Sequence, residues 1–386
     1  MANSLETSPL VQTQNRSKDH HVNFRKGESI WQDLERRRES NPPQTGRSTA
    51  VTLLFGQLVA LICSSQNAVS FALEFGMGKV FPFFLMFHAY VLLSFHLLQN
   101  KHTSGDTLHT LPFTSIRLRT PWWYYLCLSI FDVGPNYLTL LALKYTSLMS
   151  ATLLGSITVP STMFFCRFLL AKQYNRFHLV GVIFCLTGGI LTVRADIDRS
   201  DGSMHPTSHP HSYFGDLLGL GAALLYGLGD ACGEFWTKHV DRKEYLGMIG
   251  LFGSLFTLIL FLVFEWEPVC DLMSDRSTFL PAFGLIVVYV PLLVAYYISA
   301  TLFLISSDAT LLNLSLQSSN LWAILFSVVF FRELPSPLFF LALALVISGV
   351  FVFELLGNKA QDSEAERTTT SPPKQRSTEY DTIETI

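Results

Sequence analysis

The sequence predicts an all-α membrane protein: ten transmembrane helices arranged as two inverted five-helix repeats. Three observations lead there. First, 49% of the 386 residues are hydrophobic and only 15% are charged, where a soluble chain carries roughly 25% charged residues. Second, the apolar residues gather into ten runs, each near the ~20 residues that cross ~30 Å of hydrocarbon. Third, a short pattern returns five runs later, and an odd number of crossings brings its second copy in from the opposite side, as inverted repeats require.

The ten runs cover approximately 49–72, 81–98, 122–143, 147–170, 177–194, 213–236, 246–265, 281–305, 308–331 and 336–357. The hairpin between the eighth and ninth runs is the tightest, because "ISSDAT" leaves almost no loop. Polar tails flank the runs. The expected organisation is a cytoplasmic, disordered tail over 1–48, a first repeat over 49–194, an outer loop over 195–212, a second repeat over 213–357 and a cytoplasmic, disordered tail over 358–386. The first apolar run begins near Ala50, after "ERRRES", which does not read as a signal peptide.

Lysine and arginine set the orientation. With the N-terminus inside, the inner segments hold 20 of the 27 basic residues and the outer loops hold six, while Arg167 sits within a span near its inner end. Both termini are therefore expected in the cytoplasm.

The repeat rests on "ATLL", found at 151–154 and 309–312. Each copy opens a span, each is followed by a basic residue (Lys172, Arg332), and each leads to a second span ending in "GGILTV" or "SGVFVF". The offset is about 158–160 residues.

Polar residues inside the runs are the candidate site. Asp132 lies ten residues into the third span, about 15 Å deep. A carboxylate there costs about 2.5–3.5 kcal/mol even on the lenient insertion scale, so it should face a partner or water rather than lipid. Asn136 follows one turn later on the same face, beside Tyr137. Between them, Pro135 frees a backbone carbonyl that protein or water must satisfy. In the sixth span Tyr226, Asp230 and Glu234 recur every four residues. Gly229 and Gly233 have the small-residue spacing that lets another helix approach. Asn313, Gln317 and Asn320 share a face of the ninth span. The first span adds Gln57, Gln66 and Asn67, and the second adds His88. The eighth carries Pro291 and the pair Tyr296-Tyr297, which suits either aromatic lining or interface anchoring.

These positions spread over several spans, as a central binding cavity requires. No HExxH, GxSxG or P-loop occurs, and Asp230 and Glu234 have no accompanying nucleophile, so no catalytic residue, metal site or cofactor is assigned. The six cysteines show no CxxC or Cys/His spacing. Five lie in apolar runs and read as packing residues, with Cys270 in a loop. His205, His209 and His211 belong to a Pro/Ser-rich loop. No basic patch with interleaved aromatics points to nucleic acid.

At these residues a family becomes visible. "DVGPNYLTLLALKYTSLMSATLLGSITVP" (132–160), "LLYGLGDACGEFWTKHVDRKEYLGMIGLFG" (224–253), "VRADI" (193–197) and "SSDATLLNLSLQSSNLWAILFSVVFF" (306–331) resemble subfamily F of solute carrier family 35, over roughly residues 50–356. The family belongs to the drug/metabolite transporter superfamily. The resemblance implies ten helices in two inverted five-helix repeats, a central cavity and alternating access. The chain departs from the family pattern at Gly134, Pro135, Gly155, Asp230 and Gly233.

The expected function is a carrier for a small polar organic solute, which is its partner together with the lipid bilayer. Asp132, Asn136 and Tyr137 would recognise the solute, Tyr226, Asp230 and Glu234 would contribute from the other repeat, and Asn313, Gln317 and Asn320 would supply amide hydrogen bonds with Gln66 and Asn67. A membrane-embedded enzyme would need a nucleophile or metal set. A non-transporting receptor or scaffold would signal through its tails. "YDTI" at Tyr380–Ile383 matches a tyrosine-based sorting signal, which would engage a sorting adaptor.

Overall fold

The computed structural model of the chain describes residues 49–77, 81–99, 109–112, 114, 116–143, 145, 154–200, 213–274, 276–319, 321–322 and 337–357. Among them the chain is helical apart from turns, short linkers and one two-rung antiparallel ladder. The ladder pairs β1 (His109–Thr110) with β2 (Arg117–Leu118).

The helices follow the apolar runs. α1 spans Thr49–Met77 and α2 Pro82–Ser94, the latter opened by a proline at its first position and extended by a 3-10 turn, Phe95–Gln99. α3 covers Trp122–Leu143 and α4 Thr158–Leu169. α5 runs from Arg176 to Ser200, past its apolar run and into the segment expected as outer loop. α6 (Tyr213–His239) is followed by α7 (Arg242–Phe264), whose N-cap Asp241 accepts the N–H groups of Lys243 and Glu244.

Next comes a short helix, α8 (Trp266–Ser274), where the sequence reads as a loop. Cys270 is therefore helical. α9 (Arg276–Ser306) and α10 (Ala309–Gln317) are joined by only Ser307 and Asp308, and Asp308 caps α10 by accepting the Leu311 N–H at 2.7 Å. α11 (Pro337–Phe351) closes the series with a π turn, Val352–Gly357. The runs 147–170 and 308–331 are described only in part.

Five of the described helices are long and apolar enough to cross a membrane, namely Ala50–Ser70, Trp122–Ala142, Arg242–Phe264, Phe279–Ser306 and Phe340–Gly357, and Pro82–Leu98 and Arg176–Leu191 are shorter apolar helices. Their outer faces carry large apolar side chains such as Leu54, Leu98, Ile183, Val263 and Leu280. An aqueous surface would not hold so much exposed hydrocarbon, and acyl chains would. The chain is a multi-pass membrane protein.

Inside, small residues replace large ones. The buried face of α6 is Gly215, Gly219, Ala222, Ala223, Gly227, Ala231 and Gly233, with Glu234 and Thr237. Helices pack α2 on α7, α5 on α11, α3 on α6, α1 on α9, α4 on α6, α3 on α7 and α4 on α10. The α2–α7 pair is antiparallel, since Gly253 meets Tyr90 and Gly247 meets Leu97. Between those contacts, a Cβ at Gly250 would stand 2.7 Å from the Tyr90 carbonyl oxygen, so only glycine permits this approach. Without a hydrophobic drive between helices in lipid, such close packing holds the bundle together.

Pro135 lies inside an unbroken α3. The carbonyl it frees, on Phe131, faces α6, where a Cβ on Gly229 would come within 2.8 Å of it. The gap left by the missing hydrogen bond is thus closed by the glycine backbone of a neighbouring helix, an approach that suits a weak Cα–H···O contact.

Candidate solute-binding site

Asp132 meets two tyrosines from two other helices. Its Oδ2 accepts the hydroxyl of Tyr90 on α2 at 2.5 Å and that of Tyr297 on α9 at 3.1 Å, and the two hydroxyls lie 2.8 Å apart. One turn along α3, the Asn136 amide donates to the Asp132 carbonyl at 2.9 Å, while its Oδ1 accepts the Tyr226 hydroxyl of α6 at 2.8 Å. Asp230, the next turn of α6, accepts the Asn313 amide of α10 at 2.8 Å, and that amide also lies 3.2 Å from Thr162 Oγ1 on α4. Six helices therefore converge through one polar group. Asp132, Asn136, Tyr226 and Asp230 remain half-buried although neighbours surround them. Among the described residues the hydrogen-bond partners of both carboxylates are neutral.

The remaining expected positions scatter around this group. Gln66 of α1 donates to the Tyr289 hydroxyl on α9 at 3.0 Å. Gln317 Oε1 lies beside Gly189 of α5. Tyr137 packs its ring against Phe264, with centroids 5.6 Å apart, and against Phe83 at 6.2 Å. Asn67 is exposed and reaches Cys63 within its own helix. Asn320 lies outside the described residues, as do Arg332 and Tyr380–Ile383. Gln57 accepts from Ser318 Oγ at 3.0 Å and from the Trp322 indole at 3.3 Å, and His88 contacts the Phe84 carbonyl of its own helix.

Glu234 occupies a different setting from Asp230. It is fully buried, with Oε1 2.6 Å from both Lys172 Nζ and Lys238 Nζ. Its Oε2 accepts the backbone N–H of Ala309, the first residue of α10, at 2.8 Å. Lys172 also approaches Asp308 at 3.8 Å. The C-terminal ends of α4 and α6 and the N-terminal end of α10 are thereby tied by one charge network. Burial works against the Lys172 ammonium, but Asp308 and Glu234 outweigh it and hold the group well above the ordinary lysine range.

Two further glutamates use the same device, a carboxylate presented to the free N–H groups at the start of another helix. Glu244 accepts the Arg119 N–H at 3.0 Å, the Thr120 N–H at 3.3 Å and the Tyr125 hydroxyl at 2.7 Å, just before and within α3. Glu265 accepts Phe83 N–H at 3.1 Å and Phe84 N–H at 2.8 Å, at the start of α2. Desolvation raises the Glu265 carboxyl to about 7, against the opposing pull of those two N–H groups.

Sequence reasoning missed Tyr90 and Thr162 and noted Lys172 only as a marker of the repeat. Tyr90, in "MFHAYVLLSF", gives no periodic signal. Its role appears only when α9 brings Tyr297 beside it. Tyr297 stands out in the sequence, but its two readings cannot be separated without knowing which way α9 faces.

A family model described as SLC35F, solute carrier family 35, matches residues 45–355. A mouse (Mus musculus) protein named solute carrier family 35 member F2 is 31% identical over 238 residues, 61% of each chain. The match thus spans less than two thirds of that relative's length. The Xenopus tropicalis protein of the same name is 27% identical over 82% of this chain and 79% of its own. A Schizosaccharomyces pombe protein, named an uncharacterized solute carrier family 35 member, is 26% identical over 81% of this chain and 59% of its own. A solved crystal structure at 20% identity covers 81% of this chain and all of its own, with a TM-score of 0.60, which shows a shared fold. The chain belongs to solute carrier family 35, a family of membrane solute transporters, within its SLC35F group.

Proposed function

We propose that the protein is a secondary transporter that moves a small polar organic solute by alternating access between two inverted five-helix repeats. The observation that carries the reading is the polar group around Asp132 and Asp230. It sits at mid-depth in membrane helices and draws side chains from both halves of the chain. Buried polar groups in a membrane are costly and are kept where they line a solute path.

The packing supports the repeat. Leaving out α8, span two pairs with seven, four with nine and five with ten. The contact of three with six is matched by eight with one, four with six by nine with one, and three with seven by eight with two. The main contacts are preserved when every helix is shifted by five. With the N-terminus inside, the Lys172–Glu234–Lys238–Asp308 network closes the cytoplasmic end. Opening that end would part α4 from α6 and α10, so this network is the inner gate. The segments 1–48 and 358–386 are then cytoplasmic tails, and 195–212 joins the repeats outside.

Reconstitution of the full chain into liposomes with a mixed metabolite pool tests this. Protein-dependent accumulation of at least one solute is expected, reduced by Asp132→Asn. Accumulation of every solute to the same level with and without protein refutes transport. A chain lacking 1–48 and 358–386 should keep its flux. Loss of flux on that truncation would favour a receptor or scaffold acting through its tails.

A further inference from the structure

We propose that the solute is an organic cation, a protonated amine or quaternary ammonium, seated between Asp132 and Asp230 within a cage of tyrosine rings. This rests on the transport reading above and names its substrate class.

The charge balance of this polar group leads to it. Asp132 is hydrogen-bonded by the hydroxyls of Tyr90 and Tyr297, and Asp230 by the amide of Asn313. None of these donors carries charge, and among the described residues no lysine, arginine or histidine pairs with either acid. The contrast with Glu234 is direct, since that carboxylate lies one turn further along α6 and holds two lysines at 2.6 Å. Among the described residues, the acid at the end of the bundle is neutralised and the two in the middle have no counter-charge. The two acids are linked side by side through Tyr226, one turn before Asp230, whose hydroxyl donates at 2.8 Å to Asn136, one turn after Asp132. Two carboxylates in mutual reach and low dielectric repel each other, and a cation between them removes that cost.

The walls fit the same ligand. Tyr90 and Tyr297 donate to Asp132, and Tyr226 donates to Asn136 one turn away. The Tyr90 and Tyr297 rings lie 5.6 Å apart between centroids, and Tyr296 and Tyr297 lie 5.7 Å apart. Electron-rich ring faces beside carboxylates are the usual surroundings of alkylammonium groups. A bare divalent ion would instead need six or more oxygens closing on one point. Among the described residues no three His, Cys, Asp or Glu side chains converge in that way. An anionic solute would meet like charge on both sides.

The test uses the full chain in liposomes and a pool of small metabolites balanced between cations, zwitterions, neutral species and anions. Internal contents are read by mass spectrometry against protein-free vesicles, in sodium and in potassium buffers. The species that accumulate with wild-type protein should carry net positive charge in both buffers. Asp132→Asn should lower their uptake by about tenfold or more, and Asp132→Glu, which keeps the charge, should retain more of it. Accumulation of neutral or anionic species overturns the cation assignment while leaving transport intact, and this outcome is read on wild-type protein alone. Accumulation of nothing refutes the transport reading itself, and the cation assignment falls with it.

Discussion

Glu234 offers the sharpest test of how charge is handled in this bundle. Replacing it with glutamine removes the charge and leaves the shape. Each ion pair, at 2.6 Å, has a gross attraction of about 6 kcal/mol at an effective dielectric near 20. Desolvating a fully buried carboxylate cancels several kcal/mol of this, so the pairs contribute little net stability, but removing one partner is costly. In Glu234→Gln, the amide oxygen can still accept the Ala309 N–H. Lys172 and Lys238 then face each other without their common anion, although both are partly exposed, at 22% and 27%, and Lys172 keeps Asp308. The expected destabilisation is about 2–4 kcal/mol.

A double-mutant cycle isolates the interaction. Lys172→Met keeps the length and removes the charge. Melting in detergent should show both single variants well below wild type, and the double variant should be less destabilised than their sum by about 1–3 kcal/mol. Lys172 is held charged in the folded protein, with its ionisation raised above the unfolded value. Its contribution is therefore fully present below about pH 10 and is lost only at higher pH. Coupling under ~0.5 kcal/mol, or a loss of stability between pH 7 and 9 that Lys172→Met abolishes, would refute the reasoning.

Two other outcomes follow from the geometry. Glu265 has its ionisation raised to about 7 by burial, above its unfolded value. The folded protein then holds a proton that the unfolded chain has released, so stability should fall as pH rises from about 5 to 7, by on the order of 2–3 kcal/mol, and then level off. Glu265→Gln should flatten that slope in a series of melting curves, and an unchanged slope would remove Glu265 as its source. Gly229→Ala should cost about 1–3 kcal/mol by driving a methyl against the Phe131 carbonyl. A thermal melt matching wild type would show that the α3–α6 contact has slack.

Much of the helical framework is legible in local chemistry. Apolar runs of spanning length, a proline at the start of α2 and aspartates ahead of α7 and α10 each act within a few residues, so their consequences can be read along the chain. The short helix α8 and the extension of α5 were not legible, because neither carries a spanning apolar run. Helical spacing puts Tyr226, Asp230 and Glu234 on one face of α6. That the first two join the polar group around Asp132 while Glu234 meets two lysines at the end of the bundle is not legible in that spacing.

By itself the sequence determined that this chain lies in a membrane, that its apolar runs form helices, and that acids lie within two of them. Hydrocarbon imposes those outcomes on any apolar run with a satisfied backbone. Only the tertiary structure decided which partner each acid meets: neutral hydroxyls for Asp132, a neutral amide for Asp230, two lysines for Glu234. A carboxylate's role follows from the charges within a few ångströms of it, and here those are supplied by helices far away in sequence.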